Sequence, residues 1–132
     1  MSVALILVAH DGARWLPTVI DGIGAQSLRP DQVVAVDTGS LDGSADLLRD
    51  AFGAVQVLGS STTFPDALGH GLSHLDDDVD WIWILHDDST PDPAALEILV
   101  QATAEFPEAS ILGPKLRECP PCGACSRSAS RC

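Results

Sequence analysis

Three short polar clusters each follow directly on an apolar run: His10-Asp11 after Val3–Val8, Asp37 after Val33–Val36, and His86-Asp87-Asp88 after Trp81–Leu85. Adjacent carboxylates such as Asp87 and Asp88 suit a hard divalent cation, because Mg²⁺ and Mn²⁺ take oxygen ligands and often share the phosphates of a substrate. A cation there neutralises the charge that builds on a departing diphosphate. Asp37 offers an acceptor for the N–H of a nucleobase, while Gly39 and Gly43 let the backbone come close to a ligand. His10 offers a ring to stack on a base or hydrogen-bond to it. Each cluster also has a plainer reading. Asp88-Ser89-Thr90 would cap the helix that opens near Pro93; Asp37 would hold a solvated turn; His10 would be a structural residue at a strand end. Asp76-Asp77-Asp78 with Asp80 precedes an apolar run instead of following one, and reads as a solvated loop.

Clusters so far apart in sequence act together only if the elements between them bring them together. Short apolar runs alternate with helical patterns, the signature of βαβ units on a parallel sheet. Val3–Val8 is a strand covered on both faces. A helix over Arg14–Ala25 carries Leu16, Val19, Ile20 and Ile23 at i, i+3, i+4 and i+7, with Pro17 in its first turn. The connection Ser27–Asp31 leads to a second strand, Val33–Val36, and a second helix bearing Leu47, Leu48, Ala51 and Phe52. Val55–Leu58 is the expected third strand, Asp66–Leu75 the third helix, weakened by Gly69 and Gly71. Trp81–Leu85 is the fourth strand and Pro93–Phe106 the fourth helix, with Leu96, Leu99, Val100 and Thr103 on one side. Ile111-Leu112 would open a fifth strand before Gly113-Pro114. No internal repeat is present. The expected architecture is a three-layer α/β/α domain with a mostly parallel sheet. Strand order 3-2-1-4 would set the three polar clusters on one rim, where open α/β sheets bind ligands.

A chain of 132 residues with 45% hydrophobic residues makes one globular domain at most. Its net charge of −12 excludes nucleic acid as a partner and disfavours anionic lipid, since both require Lys and Arg. An acidic protein can still bind a nucleoside diphosphate if a divalent cation bridges the two. No apolar run approaches the roughly 18 residues of a membrane span, and the apolar N-terminus lacks the features of a signal peptide. The expected location is cytoplasmic, with a longer relative membrane-associated. All four cysteines, Cys119, Cys122, Cys125 and Cys132, lie in the last fourteen residues, so residues 1–118 read as a reduced cytosolic domain and 119–132 as a foreign tail.

Taken in order, the motifs resemble family-2 glycosyltransferases of the GT-A fold. Ala4–Leu16 resembles that family's opening strand and base-contacting loop, and Gln26-Ser27 before Pro30 the end of its first helix. The segment Val34–Ser44 resembles its "VVDDGSTDGT" signature, and Trp83–Leu96 the strand carrying the DxD motif with the Pro-x-x-Leu helix start. The likeness covers about residues 3–117. It implies a domain that binds a nucleotide-diphospho-sugar, UDP- or dTDP-linked, through Mn²⁺ or Mg²⁺. His10, Asp11, Asp37, Gly39 and Asp87 would bind the nucleotide, and Asp88 with His86 the metal. The implied reaction is inverting transfer to a hydroxyl of a glycan or lipid-linked acceptor. Departures are His86 at the first DxD position, Val8-Ala9 for the commoner Pro-Thr, and Thr38 for a second Asp. The general base of the family comes from a later half of the fold and no candidate for it stands here, so the chain is expected to be a donor-binding fragment without turnover.

Other classes remain open. A non-catalytic nucleotide-binding module of the same fold would bind donor without transferring sugar. A dinucleotide-binding dehydrogenase is disfavoured by His10-Asp11-Gly12 where G-x-G-x-x-G would stand. A phosphohydrolase with a strand-end Asp nucleophile is the third alternative. Cys119, Cys122 and Cys125 have iron–sulfur-like or zinc-like spacing, yet Cys132 completes neither pattern. Back-translation with GC-rich codons gives a different account: one restored base after Glu118 turns the tail into an apolar-periodic string, as expected of a frameshift.

Overall fold

The computed structural model describes residues 1–117, so the cysteine tail lies outside the described residues. Four strands and four helices alternate: β1 Val3–Ala9, α1 Leu16–Gly24, β2 Gln32–Asp37, α2 Ser44–Phe52, β3 Gln56–Val57, α3 Phe64–Leu72, β4 Trp81–His86 and α4 Ala95–Glu105. All strand pairs are parallel and the sheet order is β3-β2-β1-β4, as the sequence pattern anticipates.

Every residue of β1 is buried, which explains its unbroken apolar run: alternate side chains enter two different cores. Val3, Leu5, Leu7 and Ala9 pack with Leu16, Val19 and Ile23 of α1, Leu48 of α2 and Leu96 of α4. Ile6 and Val8 face the other way, joining Val34, Val36 and Ala67 of α3. The result is three layers, with α1, α2 and α4 on one face of the sheet and α3 on the other. Gly71 lets α3 settle close, since a Cβ there would stand 2.9 Å from Ile6. Because α3 lies over β1 and β2, Ile82 and Ile84 on the same face of β4 remain 40% and 44% exposed.

Several expected boundaries move. The first helix begins at Leu16, because Trp15 and Leu16 both donate to the Gly12 carbonyl and residues 13–15 form a turn instead. The third helix runs Phe64–Leu72 in place of 66–75: Thr63 caps it through Asp66 N–H, and Pro65 occupies the first turn, a start signal the apolar pattern conceals. The third strand contracts to Gln56–Val57, which pairs with β2 alone. The fourth helix contracts to Ala95–Glu105. The expected fifth strand is absent: among the described residues Ile111 pairs with no strand and is 90% exposed. A strand exists only by virtue of a neighbour, and two apolar residues before Gly113-Pro114 have none here.

Candidate functional site

Register brings the polar clusters together. Val8 pairs with Val36 on one side and His86 on the other, and Ala9 with Asp37. The chain therefore leaves β1, β2 and β4 at nearly the same level, delivering His10, Thr38 and Asp87 to one rim. Between them opens a cleft of ≈ 270 Å³. Val8 and His10 come from the end of β1, Thr38 from β2, and His86 and Asp87 from β4. Its fourth side is made by Ser60, Thr62 and Phe64, from the loop after β3 and the start of α3. Among the described residues, the lining includes neither Lys nor Arg.

The loop after β1 and the loop after β2 are stitched to each other. Ser40 Oγ donates to Asp37 Oδ1 at 2.5 Å and Ser40 N–H to Asp37 Oδ2 at 2.9 Å, so both oxygens of this carboxylate, which has no exposed surface, are engaged. Asp11 N–H donates to Ser40 Oγ and Leu41 N–H to Asp11 Oδ1, each at 2.8 Å. Gly12 N–H donates to Ser44 Oγ at 3.0 Å, and Ala13 N–H to Asp42 Oδ2 at 2.9 Å. Ser44 Oγ in turn donates to Asp42 Oδ1 at 2.6 Å, and that bond is the main reason the Asp42 carboxyl lies below its ordinary range. Asp11 has φ of +48°, a left-handed conformation held by these bonds. Gly39, at φ +73°, lies so close to Ser60 that a Cβ would stand 2.7 Å from its backbone nitrogen; the glycine seats the loop after β3 against the loop after β2.

Asp37 and Asp11, expected to face a nucleotide, thus use their carboxylates to hold the loops. In this conformation Asp37 is inaccessible to a ligand. His10 is exposed at the cleft; its Nδ1 lies 2.9 Å from Thr38 Oγ1 and 3.1 Å from the Thr38 carbonyl. The other ring nitrogen, Nε2, lies 3.7 Å from Asp11 Oδ2.

The loop after β4 is built differently. Asp87 Oδ2 accepts His10 N–H at 2.8 Å and lies against Gly12, where any Cβ would collide with it. Burial pushes the Asp87 carboxyl above its ordinary range, with the Asp88 charge adding to it and the His10 N–H opposing it. The His86 ring stacks on Phe64, centroids 4.3 Å apart and planes 10° from parallel. Asp88 is exposed, and among the described residues only the Ser89 hydroxyl approaches it, at 3.3 Å. No group of three His, Cys, Asp or Glu side chains able to hold a metal ion occurs among the described residues.

This is the arrangement of a site for a polar ligand at the carboxyl edge of a parallel sheet. The model of the family described as glycosyl transferase family 2 matches residues 4–123. The chain belongs to glycosyl transferase family 2. No curated protein matches the sequence directly. Among solved structures, this family member is similar to the crystal structure of S. aureus TarS, with a TM-score of 0.62 at 14% identity over 80% of this chain and 20% of that one. The crystal structure of TarS 1-349 in complex with UDP-GlcNAc gives 0.60 at 16% identity over 80% of this chain and 32% of that one. The complex of TarS 1-349 with UDP gives 0.62 at 14% identity over the same shares. At such identities the likeness shows a shared GT-A-type α/β fold, and this chain spans between a fifth and a third of those chains.

Sequence reasoning missed Ser60, Thr62 and Phe64. The run Gly59-Ser60-Ser61-Thr62-Thr63 directly after the third strand was a usable signal, because the rule that located the other three ends applies equally to this one. It also missed Ser40 and Ser44, whose hydroxyls decide which carboxylates of the family signature are free.

Proposed function

We propose that this family-2 chain binds a nucleoside-diphosphate sugar in the cleft at the carboxyl ends of β1, β2 and β4, with Mn²⁺ or Mg²⁺ shared between Asp88 and the donor's phosphates. The observation that carries the reading is the contrast in carboxylate use on this rim. Asp11, Asp37, Asp42 and Asp87 all accept hydrogen bonds from backbone N–H groups, while Asp88, exposed like Asp11 and Asp42, is approached among the described residues only by the Ser89 hydroxyl. A single free carboxylate fits a cation that takes the rest of its shell from phosphate and water, as Mg²⁺ commonly does. His86, engaged face to face with Phe64, fits that shell less well than the sequence suggested. Bound there, the cation would neutralise diphosphate charge in a cleft whose lining lacks Lys and Arg. Thr38, Ser60 and Thr62 supply hydroxyls for ribose or phosphate, and His10 an exposed ring for the base.

The donor class is supported by the family and by the UDP and UDP-GlcNAc held by the similar TarS structures. UDP- and dTDP-sugars are the leading candidates. Under this reading none of the described residues is assigned the part of general base, and the acceptor is a hydroxyl of a glycan or lipid-linked molecule. Calorimetry with UDP, dTDP and GDP, each with Mn²⁺ and with EDTA, tests it. The expected result is Mn²⁺-dependent binding of at least one diphosphate, lost in Asp88→Ala with the melting temperature unchanged. A folded chain that binds none of the three in either condition rules the reading out.

A further inference from the structure

The end of α1 makes an unusual set of bonds to a distant segment. Gln26 is 5% exposed, and all of its side-chain bonds go to backbone. Its amide nitrogen donates to Gly22 O at 3.0 Å and to Asp92 O at 2.6 Å, while its carbonyl oxygen accepts Leu96 N–H at 3.1 Å. Beside it, Ser27 N–H donates to Pro93 O at 2.8 Å, and Ser27 Oγ to Glu97 at 2.6 Å. One turn earlier, Gly22 is buried against the same segment: a Cβ there would stand 3.0 Å from Thr90 and 3.1 Å from Pro91. The C-terminal turn of α1 therefore cradles residues 90–97, the chain immediately beyond Asp88. On its other side Asp88 follows Asp87, which is fixed by His10 N–H and the close approach of Gly12.

From this bracketing we propose that Gln26 is a positioning residue for Asp88: its amide, with Gly22 beneath it, fixes the loop after β4 so that Asp88, the rim carboxylate that no backbone N–H engages among the described residues, is held in one place next to the cleft-lining Asp87. The role rests on the donor-binding reading above. The physical case is that α4 has no side-chain cap of its own, since Ala94 stands at its N-cap. Gln26 supplies the missing acceptor from another element, at Leu96 N–H, and simultaneously ties down the Asp92 carbonyl. A buried amide with three partners has one orientation, so the loop inherits that orientation.

The test compares the wild-type chain with Gln26→Met, which keeps length and volume without the donors and acceptor, and with Val19→Ala, a control that loosens α1 in the core away from the cradle. Three quantities are read: melting temperature, hydrogen exchange at the amides of Ser89 and Leu96, and UDP dissociation constants in Mn²⁺ and in EDTA. Gln26→Met is expected to speed exchange at both amides and to weaken UDP binding in Mn²⁺ by about tenfold, while binding in EDTA changes little. Val19→Ala should lower the melting temperature and leave the Mn²⁺-to-EDTA ratio as in wild type. If Gln26→Met keeps the wild-type ratio, or if Val19→Ala loses it to the same degree, the positioning role is overturned and donor binding stands. A folded wild-type chain that binds none of UDP, dTDP and GDP under either condition overturns both, and exchange at Ser89 then reports only a loop tether.

Discussion

The two loops that carry carboxylates to the rim are built on opposite plans. The loop after β2 is closed: Asp37 and Asp42 accept from Ser40, Ser44 and Ala13, and Asp11 is drawn in from the neighbouring loop. The loop after β4 is held on either side of Asp88, by Asp87 on His10 N–H and by Gln26 and Ser27 on residues 92–97, and Asp88 between them is open to solvent. Carboxylates one residue apart on the same rim thus do different work: Asp87, level with Asp37, is hydrogen-bonded into structure, and Asp88, one residue further, is not engaged by a backbone N–H among the described residues. A carboxylate near serine hydroxyls and turn amides becomes structure; one beyond their reach stays free for a ligand.

The sharpest way to break this comparison is Asp37→Ala. Removing it leaves the Ser40 N–H and hydroxyl without their acceptor at a position with no solvent exposure. The expected loss is about 2–3 kcal/mol, read as a lower urea midpoint at unchanged slope. An Asp37→Ala chain of wild-type stability that had lost UDP affinity would make Asp37 a ligand contact and erase the distinction between the loops.

Ser44→Ala probes the seam between the two stitched loops. Ser44 Oγ accepts from Gly12 N–H and donates to Asp42, and its truncation should cost about 1–2 kcal/mol. It should also change the acid limb. The Ser44 hydroxyl keeps the Asp42 carboxyl below its unfolded value of 3.8. A depressed folded value means stability that is present above the unfolded value and lost as pH falls through the folded one. Without Ser44 that loss below about pH 4 should shrink, which thermal melts across pH 2–6 would show. An unchanged acid limb would mean that the amides of Ala13 and Ser44, not the hydroxyl, hold Asp42.

The comparison also explains what the sequence could and could not convey. Strand order and rim followed from apolar runs ending in polar residues, because a parallel sheet buries its strands on both faces and delivers their ends to one edge. Asp88 stood out as one of two adjacent carboxylates just beyond the fourth apolar run. The division of labour was not legible, because it depends on pairs such as Asp11 with Leu41, Gly12 with Ser44 and Gln26 with Leu96, each of them 30 to 70 residues apart. Gln26-Ser27 stood out as a motif before any reason for it could be given; the reason lies in α4, an element it meets only after folding. The cleft wall at Ser60, Thr62 and Phe64 escaped because β3 is only two residues long, so the apolar pattern marks its end poorly.

The smallest expected effect sharpens the comparison within the β4 loop itself. Burial holds the Asp87 carboxyl above its unfolded value, so its ionisation opposes folding. The sign follows from linkage: a raised folded value means the native state binds more protons, and stability falls as pH rises from the unfolded value through the folded one. Asp87→Asn keeps an oxygen that can accept His10 N–H and removes the charge beside Asp88. At neutral pH it should therefore be neutral or slightly stabilising, within about 0.5–1 kcal/mol of wild type, and the decline in stability above about pH 4 should flatten. The same exchange at Asp37 would be destabilising, because an asparagine cannot accept from both the Ser40 hydroxyl and its N–H with two oxygens. Urea midpoints of Asp87→Asn and Asp37→Asn at pH 5 and pH 7 compare the two directly. If both variants fall together, the β4 loop relies on its buried charge as the β2 loop does, and Asp88 is left as the one carboxylate that distinguishes them.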